Sequence, residues 1–174
     1  GVKCARDAAE GKEDRFVALD IGPTGKLLAP TGTLPFEEAV EIFAKTVRLG
    51  VEAGVDAILI ETMTDSYETK AALLAAKENS TLPVLVTNAY GSDGKLMTGA
   101  TPAAMVAMLE GMGVCALGAN CSLGPKQLVG VAKELLEHAS VPVILKPNAG
   151  LPAVREGKTV YDVTPEDFAE ELAE

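Results

Sequence analysis

The sequence has no tryptophan, one histidine and three cysteines among 174 residues, and aromatic residues make up only 4% of it. An odd number of cysteines cannot pair completely within one chain, which indicates a reducing compartment. No apolar run is long enough to cross a membrane, and no cleavable leader is visible. We therefore expect a soluble protein of the cytoplasm.

Positive charge is also scarce. The sequence has 15 Lys and Arg residues and 25 Asp and Glu residues, which gives a formal net charge of −10. Nucleic acids and anionic membrane surfaces are bound by proteins with a positive footprint. The charge balance argues against both as partners.

The sequence is rich in the aliphatic residues of buried strands, and 48% of it is hydrophobic. Amphipathic helical patterns separate these strands, and an alternation of this kind predicts βαβ units and a parallel sheet. Helix starts are marked by Asp65, by Thr101 before Pro102, and by Gly124 before Pro125. The predicted strands are residues 16–20, 57–61, 84–88, 114–121 and 141–146.

Each predicted strand ends at or near a polar residue. The carboxyl ends of all strands meet on one face of a (β/α)8 barrel, and active sites are built there. A doubly wound sheet collects ligands only near a switch in strand order, so a polar end on every strand favours the barrel. The polar residues are Asp20, Glu61, Asn88, Cys121 and Asn148.

Five βα units do not close an eight-stranded barrel. Val2, Ala5 and Ala9 have the spacing of a helix tail, and a final helical pattern stops at Glu174 after barely two turns. We expect residues 1–174 to form a single incomplete barrel domain with strands three to seven, lacking the first two strands and the eighth. Open sheet edges tend to pair with another chain, so self-association is expected to be possible.

Five short motifs lie in order at these strand ends. Together they resemble the zinc-dependent homocysteine S-methyltransferase family. Within it the chain is most similar to the homocysteine domain of cobalamin-dependent methionine synthase. The motifs are DIGPTG at 20–25, LIET at 59–62, DGKLMTG at 93–99, GANC at 118–121 and PNAGLP at 147–152.

The resemblance implies a reaction and two cofactors. The complete protein would transfer a methyl group to the sulfur of homocysteine, and the donor would be methylcobalamin on a separate corrinoid-binding domain. Family members hold zinc with one cysteine matching Cys121 and with two more in a Gly-Gly-Cys-Cys-Gly motif, which this sequence lacks. We therefore expect this stretch alone to bind zinc weakly or not at all.

The resemblance also assigns roles to strand-end residues. Cys121 would be the catalytic thiolate and metal ligand, although a buried structural cysteine is the alternative. Glu61 would bind the ammonium group of homocysteine, or form a salt bridge across the barrel mouth instead. Asn148 would line the substrate or metal pocket, or only form a turn. We expect Cys121, Glu61 and Asn148 to surround one cavity.

Two further residues are weaker candidates for substrate binding. Asp20 could instead cap the turn that follows it, and Asn120 could instead orient the neighbouring strand end. Two other functions stay open: a non-catalytic fragment or assembly module without zinc, and a Schiff-base lyase using Lys146. The lyase needs Lys146 to be neutralised by desolvation or by another cation.

Overall fold

The computed structural model describes residues 1–161 and 163–173, and it contains one five-stranded parallel sheet and one small hairpin. The predicted end of the last helix at Glu174 and Asp162 of the loop before it lie outside the described residues. The helices are α1 (Val2–Ala9), α2 (Phe36–Glu52), α3 (Ser66–Asn79), α4 (Pro102–Gly111), α5 (Pro125–His138) and α6 (Pro165–Ala173). The strands are β1 (Ala18–Ile21), β2 (Ala57–Met63), β3 (Val84–Asn88), β4 (Ala116–Asn120), β5 (Val143–Lys146), β6 (Ala153–Arg155) and β7 (Lys158–Val160).

The sheet has the strand order of a barrel. Its strands lie in the sequence β1-β2-β3-β4-β5, and each pairs in parallel with the next. Each helix from α2 to α6 contacts the following one, so these helices form a single layer on one face of the sheet. Right-handed crossovers between successive neighbours give this arrangement, whereas a doubly wound sheet reverses direction and has helices on both faces. The fold is five units of a (β/α)8 barrel.

The hydrophobic core lies between this sheet and the helix layer. Alternate strand residues such as Ile58 and Ile60 of β2 are fully buried against the helices, where they meet side chains such as Phe43 and Leu73. The opposite face, which includes Leu59 and Glu61, is only half-buried. Strand side chains alternate between faces, so one face makes the core and the other is left for a site.

Side-chain caps begin two of the helices as predicted. The Asp65 carboxylate accepts a hydrogen bond from the Tyr67 backbone N–H at 2.9 Å, and the Thr101 hydroxyl accepts one from Ala104 at 3.3 Å. These bonds satisfy N–H groups that have no partner within the first turn of a helix. These caps therefore fix the residues at which α3 and α4 begin, and with them the ends of the two connections that lead from the strands to these helices.

Four of the five predicted strands had boundaries wrong by one or two residues, and β2 runs on to Met63 instead of ending at Glu61. Phe16 lies outside β1 with 80% of its surface exposed, and the predicted strand 141–146 begins only at Val143. Cys121 lies just beyond the end of β4, where its backbone enters the left-handed region with φ of 57°.

The long loop after β5 contains an unpredicted hairpin. Strands β6 and β7 pair in antiparallel register around Glu156 and Gly157, whose φ angles are 51° and 73°. Two successive residues with positive φ are typical of the two-residue turns that match strand twist. Within the described ranges, no helix has the length and apolar character that a membrane crossing requires.

Candidate active site at the carboxyl ends of the strands

The structure brings most of the predicted site residues to one edge of the sheet. Asp20 and Glu61 lie near the carboxyl ends of β1 and β2, and Asn120 is the last residue of β4. Cys121 follows Asn120, and Asn148 follows the end of β5 by two residues. Because the strands are parallel, these residues share the barrel mouth.

The side chain of Asn120 connects three strand ends. Its Oδ1 accepts hydrogen bonds from the Thr62 backbone N–H at 2.9 Å and from the Thr87 hydroxyl at 2.7 Å. Its Nδ2 donates to the Thr62 hydroxyl at 2.7 Å and lies 3.4 Å from the Cys121 Sγ. Asn120 is 3% exposed, so these bonds satisfy a polar group that would otherwise be costly to bury. The geometry corresponds to the predicted alternative in which Asn120 orients its neighbours.

The backbone around the thiol is strained. Thr62, Cys121 and Ser122 have φ angles of 60°, 57° and 58°, a region that residues other than glycine rarely adopt. Strain of this kind costs on the order of 1–3 kcal/mol per residue and is concentrated at functional sites. The Thr62 hydroxyl lies 3.8 Å from Cys121 Sγ, so the strained segments from β2 and β4 meet at the thiol.

Glu61 and Lys146 form an ion pair across the mouth. Two strands separate β2 from β5, a path of three interstrand spacings or about 14 Å along the sheet. Two side chains can join over that path only where the sheet curves toward them. The pair therefore lies on the concave face, and it matches the predicted salt bridge across the barrel mouth.

Asp20 is exposed beside this pair. Burial raises the pKa of the Asp20 carboxyl, repulsion from Glu61 raises it further, and attraction to Lys146 lowers it. The three charges therefore influence one another at the mouth, and the second carboxylate makes the position of the Lys146 cation electrostatically favourable.

The loop containing Asn148 packs against the loop containing Cys121. The Asn148 backbone N–H donates to the Leu123 carbonyl at 2.9 Å. A Cβ added at Gly124 would come within 3.0 Å of the Gly150 Cα, so the two loops touch where glycines allow a close approach. Asn148 is half-buried beside the thiol loop.

Asn88 does not belong to the mouth, although it ends β3. Its Nδ2 donates to the Met63 carbonyl and to the Thr69 hydroxyl of α3, which places the side chain on the helix side of the sheet. Thr87, one residue earlier, projects to the opposite face and bonds Asn120. Successive strand residues alternate between faces, so the polar strand end predicted at Asn88 was one residue out of phase.

Sequence reasoning missed the roles of Thr62 and Thr87 and the partner of Lys146. Threonine is common in strands, and nothing nearby in the sequence marks Thr62 for a positive φ. The signal available was the polar pair at the end of an otherwise aliphatic strand, residues 61 and 62.

Among the described residues, Cys121 is the single cysteine at the mouth. Cys4 and Cys115 are exposed, and the Cys115 N–H bonds the carbonyl of Val84, the first residue of β3, at the opposite end of the sheet. Across the described parts of the chain, no three His, Cys, Asp or Glu side chains gather as a metal-binding group. Threonine and asparagine surround Cys121, and neither suits the nitrogen and sulfur preference of zinc.

The fold and the strand-end thiol define a class: a (β/α)-barrel protein with its polar site where enzymes of this architecture have theirs. The family model for homocysteine S-methyltransferase matches residues 1–174. The chain belongs to that family.

Three relatives illustrate this membership. The methionine synthase of Mycobacterium leprae (strain TN) is 32% identical over 165 residues, which cover 91% of this chain and 14% of the relative. That of Mycobacterium tuberculosis (strain ATCC 25618 / H37Rv) is 32% identical over 183 residues, covering 99% and 15%. The chain thus spans about a seventh of the length of these curated relatives.

The third relative is the homocysteine methyltransferase MmuM from Escherichia coli. Its apo form superposes with a TM-score of 0.69 at 21% identity, covering 84% of this chain and 53% of that one. Its metallated form gives 0.56 at 25% identity, covering 64% and 40%. The likeness to the apo form, at 21% identity, supports the barrel fold alone.

Proposed function

We propose that this chain is the homocysteine-binding part of an enzyme that transfers a methyl group to the homocysteine sulfur and so forms methionine. The observation that supports this most is the thiol of Cys121, fixed by strained backbone and by Asn120 at the barrel mouth. Membership of the homocysteine S-methyltransferase family supports the same reaction class.

The residues of the mouth would bind the substrate. Glu61 would accept the ammonium group of homocysteine, and Asp20 would add negative charge beside it. Asn148 would offer its amide donor and acceptor at the other side of the thiol. Asn120 would act as a positioning residue, because its hydrogen bonds hold Thr62 and the Cys121 segment in place.

Cys121 would be one ligand of a zinc site that residues outside this sequence complete. A bound zinc ion supplies a charge that deprotonates coordinated thiols. The metallated form of MmuM supports metal binding in this family, but Cys121 alone does not make a site.

Methylcobalamin on a separate corrinoid-binding domain would be the methyl donor. The support is the relationship to two methionine synthases, of which this chain matches only 14–15%. We also propose a cytoplasmic location, since Cys4 and Cys115 are exposed free thiols that an oxidising compartment would endanger.

The pairing of Lys146 disfavours the Schiff-base lyase. Attack on a carbonyl needs a neutral amine, whereas a neighbouring carboxylate such as that of Glu61 favours the charged form of an amine. A non-catalytic module is the remaining alternative, and a measurement of methionine formation distinguishes it from an enzyme.

The test is methionine formation by the full-length protein supplied with homocysteine, methylcobalamin and zinc. Cys121→Ser should abolish turnover and lower bound zinc, because one thiolate is lost. Cys115→Ser is the matched control and should leave both unchanged, since Cys115 lies at the other end of the sheet. An unaltered protein without methionine formation would favour the non-catalytic module, and an active Cys121→Ser variant would remove Cys121 from the mechanism.

A further inference from the structure

The ion pair between Glu61 and Lys146 presents two opposite charges side by side at the mouth of the barrel. The side chains are 25% and 41% exposed, so both charges remain accessible to a dissolved molecule. The contact joins residues 85 positions apart and crosses two intervening strands. Neither charge is needed to hold neighbouring strands together, because backbone hydrogen bonds already do so.

The backbone segments of both charged residues lie next to the segment that contains the thiol. Glu61 precedes Thr62, whose hydroxyl lies 3.8 Å from Cys121 Sγ. On the other side, the Cys121 N–H donates to the Lys146 carbonyl at 3.1 Å. The thiol segment therefore has the segment of the anion on one side and the segment of the cation on the other.

We propose that Lys146 determines specificity by binding the α-carboxylate of an amino-acid thiol, while Glu61 binds its ammonium group. This inference rests on the proposed function and adds to it the residue that recognises the acid group. The zwitterion would insert between the two side chains. The substrate carboxylate would then replace Glu61 as the partner of Lys146, and the substrate ammonium group would replace Lys146 as the partner of Glu61.

This exchange explains why the charges are paired before substrate arrives. An unpaired, partly buried charge is costly, and the ion pair avoids that cost in the empty mouth. A zwitterion replaces both halves of the pair and leaves no charge alone. A thiol with only one charge pairs with one of the two side chains and leaves the other without a partner. The mouth therefore selects against such a thiol.

The test is a substrate comparison in the full-length protein with three thiols: homocysteine, 3-aminopropanethiol without the carboxylate, and 4-mercaptobutanoate without the ammonium. Lys146→Met should raise KM about 10-fold for the two acids, because a partly exposed charged contact is lost, and should not raise it for 3-aminopropanethiol. Glu61→Gln should show the opposite pattern, with a raised KM for the two amines and no rise for 4-mercaptobutanoate. Lys146→Arg should recover most of the binding of the acids.

Lys126→Met is the matched control, since Lys126 pairs with Glu171 on the outer helices, and it should leave all three KM values unchanged. The proposal is overturned if Lys146→Met leaves the homocysteine KM unchanged, or weakens all three thiols equally as a purely structural role would. Failure of the proposed function is distinct: the unaltered protein would then methylate none of the three thiols.

Discussion

Asn120 and Thr62 are joined by two hydrogen bonds although 58 residues separate them: the Thr62 N–H donates to Asn120 Oδ1 at 2.9 Å, and Asn120 Nδ2 donates to the Thr62 hydroxyl at 2.7 Å. The pair fixes the end of β2 against the end of β4. Since the Asn120 amide also contacts Cys121 Sγ, the position of the thiol depends on this connection.

Removing the Asn120 amide should destabilise the domain and impair the site. Asn120→Ala leaves the Thr62 N–H and the Thr87 hydroxyl without their acceptor, at a cost of about 1–3 kcal/mol for each group. Urea unfolding of the 174-residue chain measures the loss, and methyl transfer by the full-length protein should fall with it. Asn79→Ala is the control, because Asn79 bonds Ala75 and Arg48 at the end of α3. Equal losses in the two variants would contradict the connecting role.

The Thr62 hydroxyl should matter more than its methyl group. Thr62→Val keeps the shape but removes the hydroxyl bonded to Asn120, and we expect a loss of about 1–2 kcal/mol and reduced turnover. Thr62→Ser keeps the hydroxyl and relieves the crowding of a branched side chain at φ of 60°, so stability should be equal or higher. Thermal unfolding compares them, with exposed Thr46→Val of α2 as the control. A Val variant as stable and active as the unaltered protein would refute the prediction.

Two glycine-to-alanine changes should have opposite effects. A Cβ at Gly118 of β4 would overlap the carbonyl oxygen of Ile144 in β5, and we expect Gly118→Ala to cost about 1–3 kcal/mol as strand pairing adjusts. A Cβ at Gly130 of α5 meets nothing within 4 Å, so Gly130→Ala should add about 0.5–1 kcal/mol through helix preference. Urea midpoints give both signs, and a neutral Gly118→Ala would disprove the close approach.

Glu110 should make part of the stability pH-dependent. Hydrogen bonds from the Ser140 hydroxyl and backbone lower the pKa of the Glu110 carboxyl below its ordinary 4.5, desolvation acts in the opposite direction, and a hydrogen bond from the Val141 backbone lowers the pKa further. The stabilisation is therefore complete above pH 4.5 and is lost as the pH falls through the lowered folded-state pKa.

Glu110→Gln should consequently destabilise the chain at pH 7, and its deficit should shrink as the pH approaches 3. Unfolding free energies measured across that range test the sign. Glu137→Gln, at an exposed position of α5, should show no comparable trend. A Glu110→Gln deficit that stays constant with pH would rule out the linkage.

The sequence by itself determined the order of the units and placed the strand bounds to within two residues. Strand and helix periodicities are local, so β3 was predicted at its observed residues and α3 began after Asp65 as expected. The strand-end position of Cys121 follows from the same local pattern, because parallel strands bring their carboxyl ends to one face.

Only the tertiary structure decided what the strand-end side chains contact. The Glu61–Lys146 pair depends on sheet curvature summed over three strand pairings, which no local pattern encodes. The direction of Asn88 depends on a one-residue phase, and the left-handed backbone of Thr62 is held by a side chain 58 residues away. Local propensity fixes elements, whereas long-range packing fixes which of their polar groups meet, and the chemistry of this mouth is set by the second.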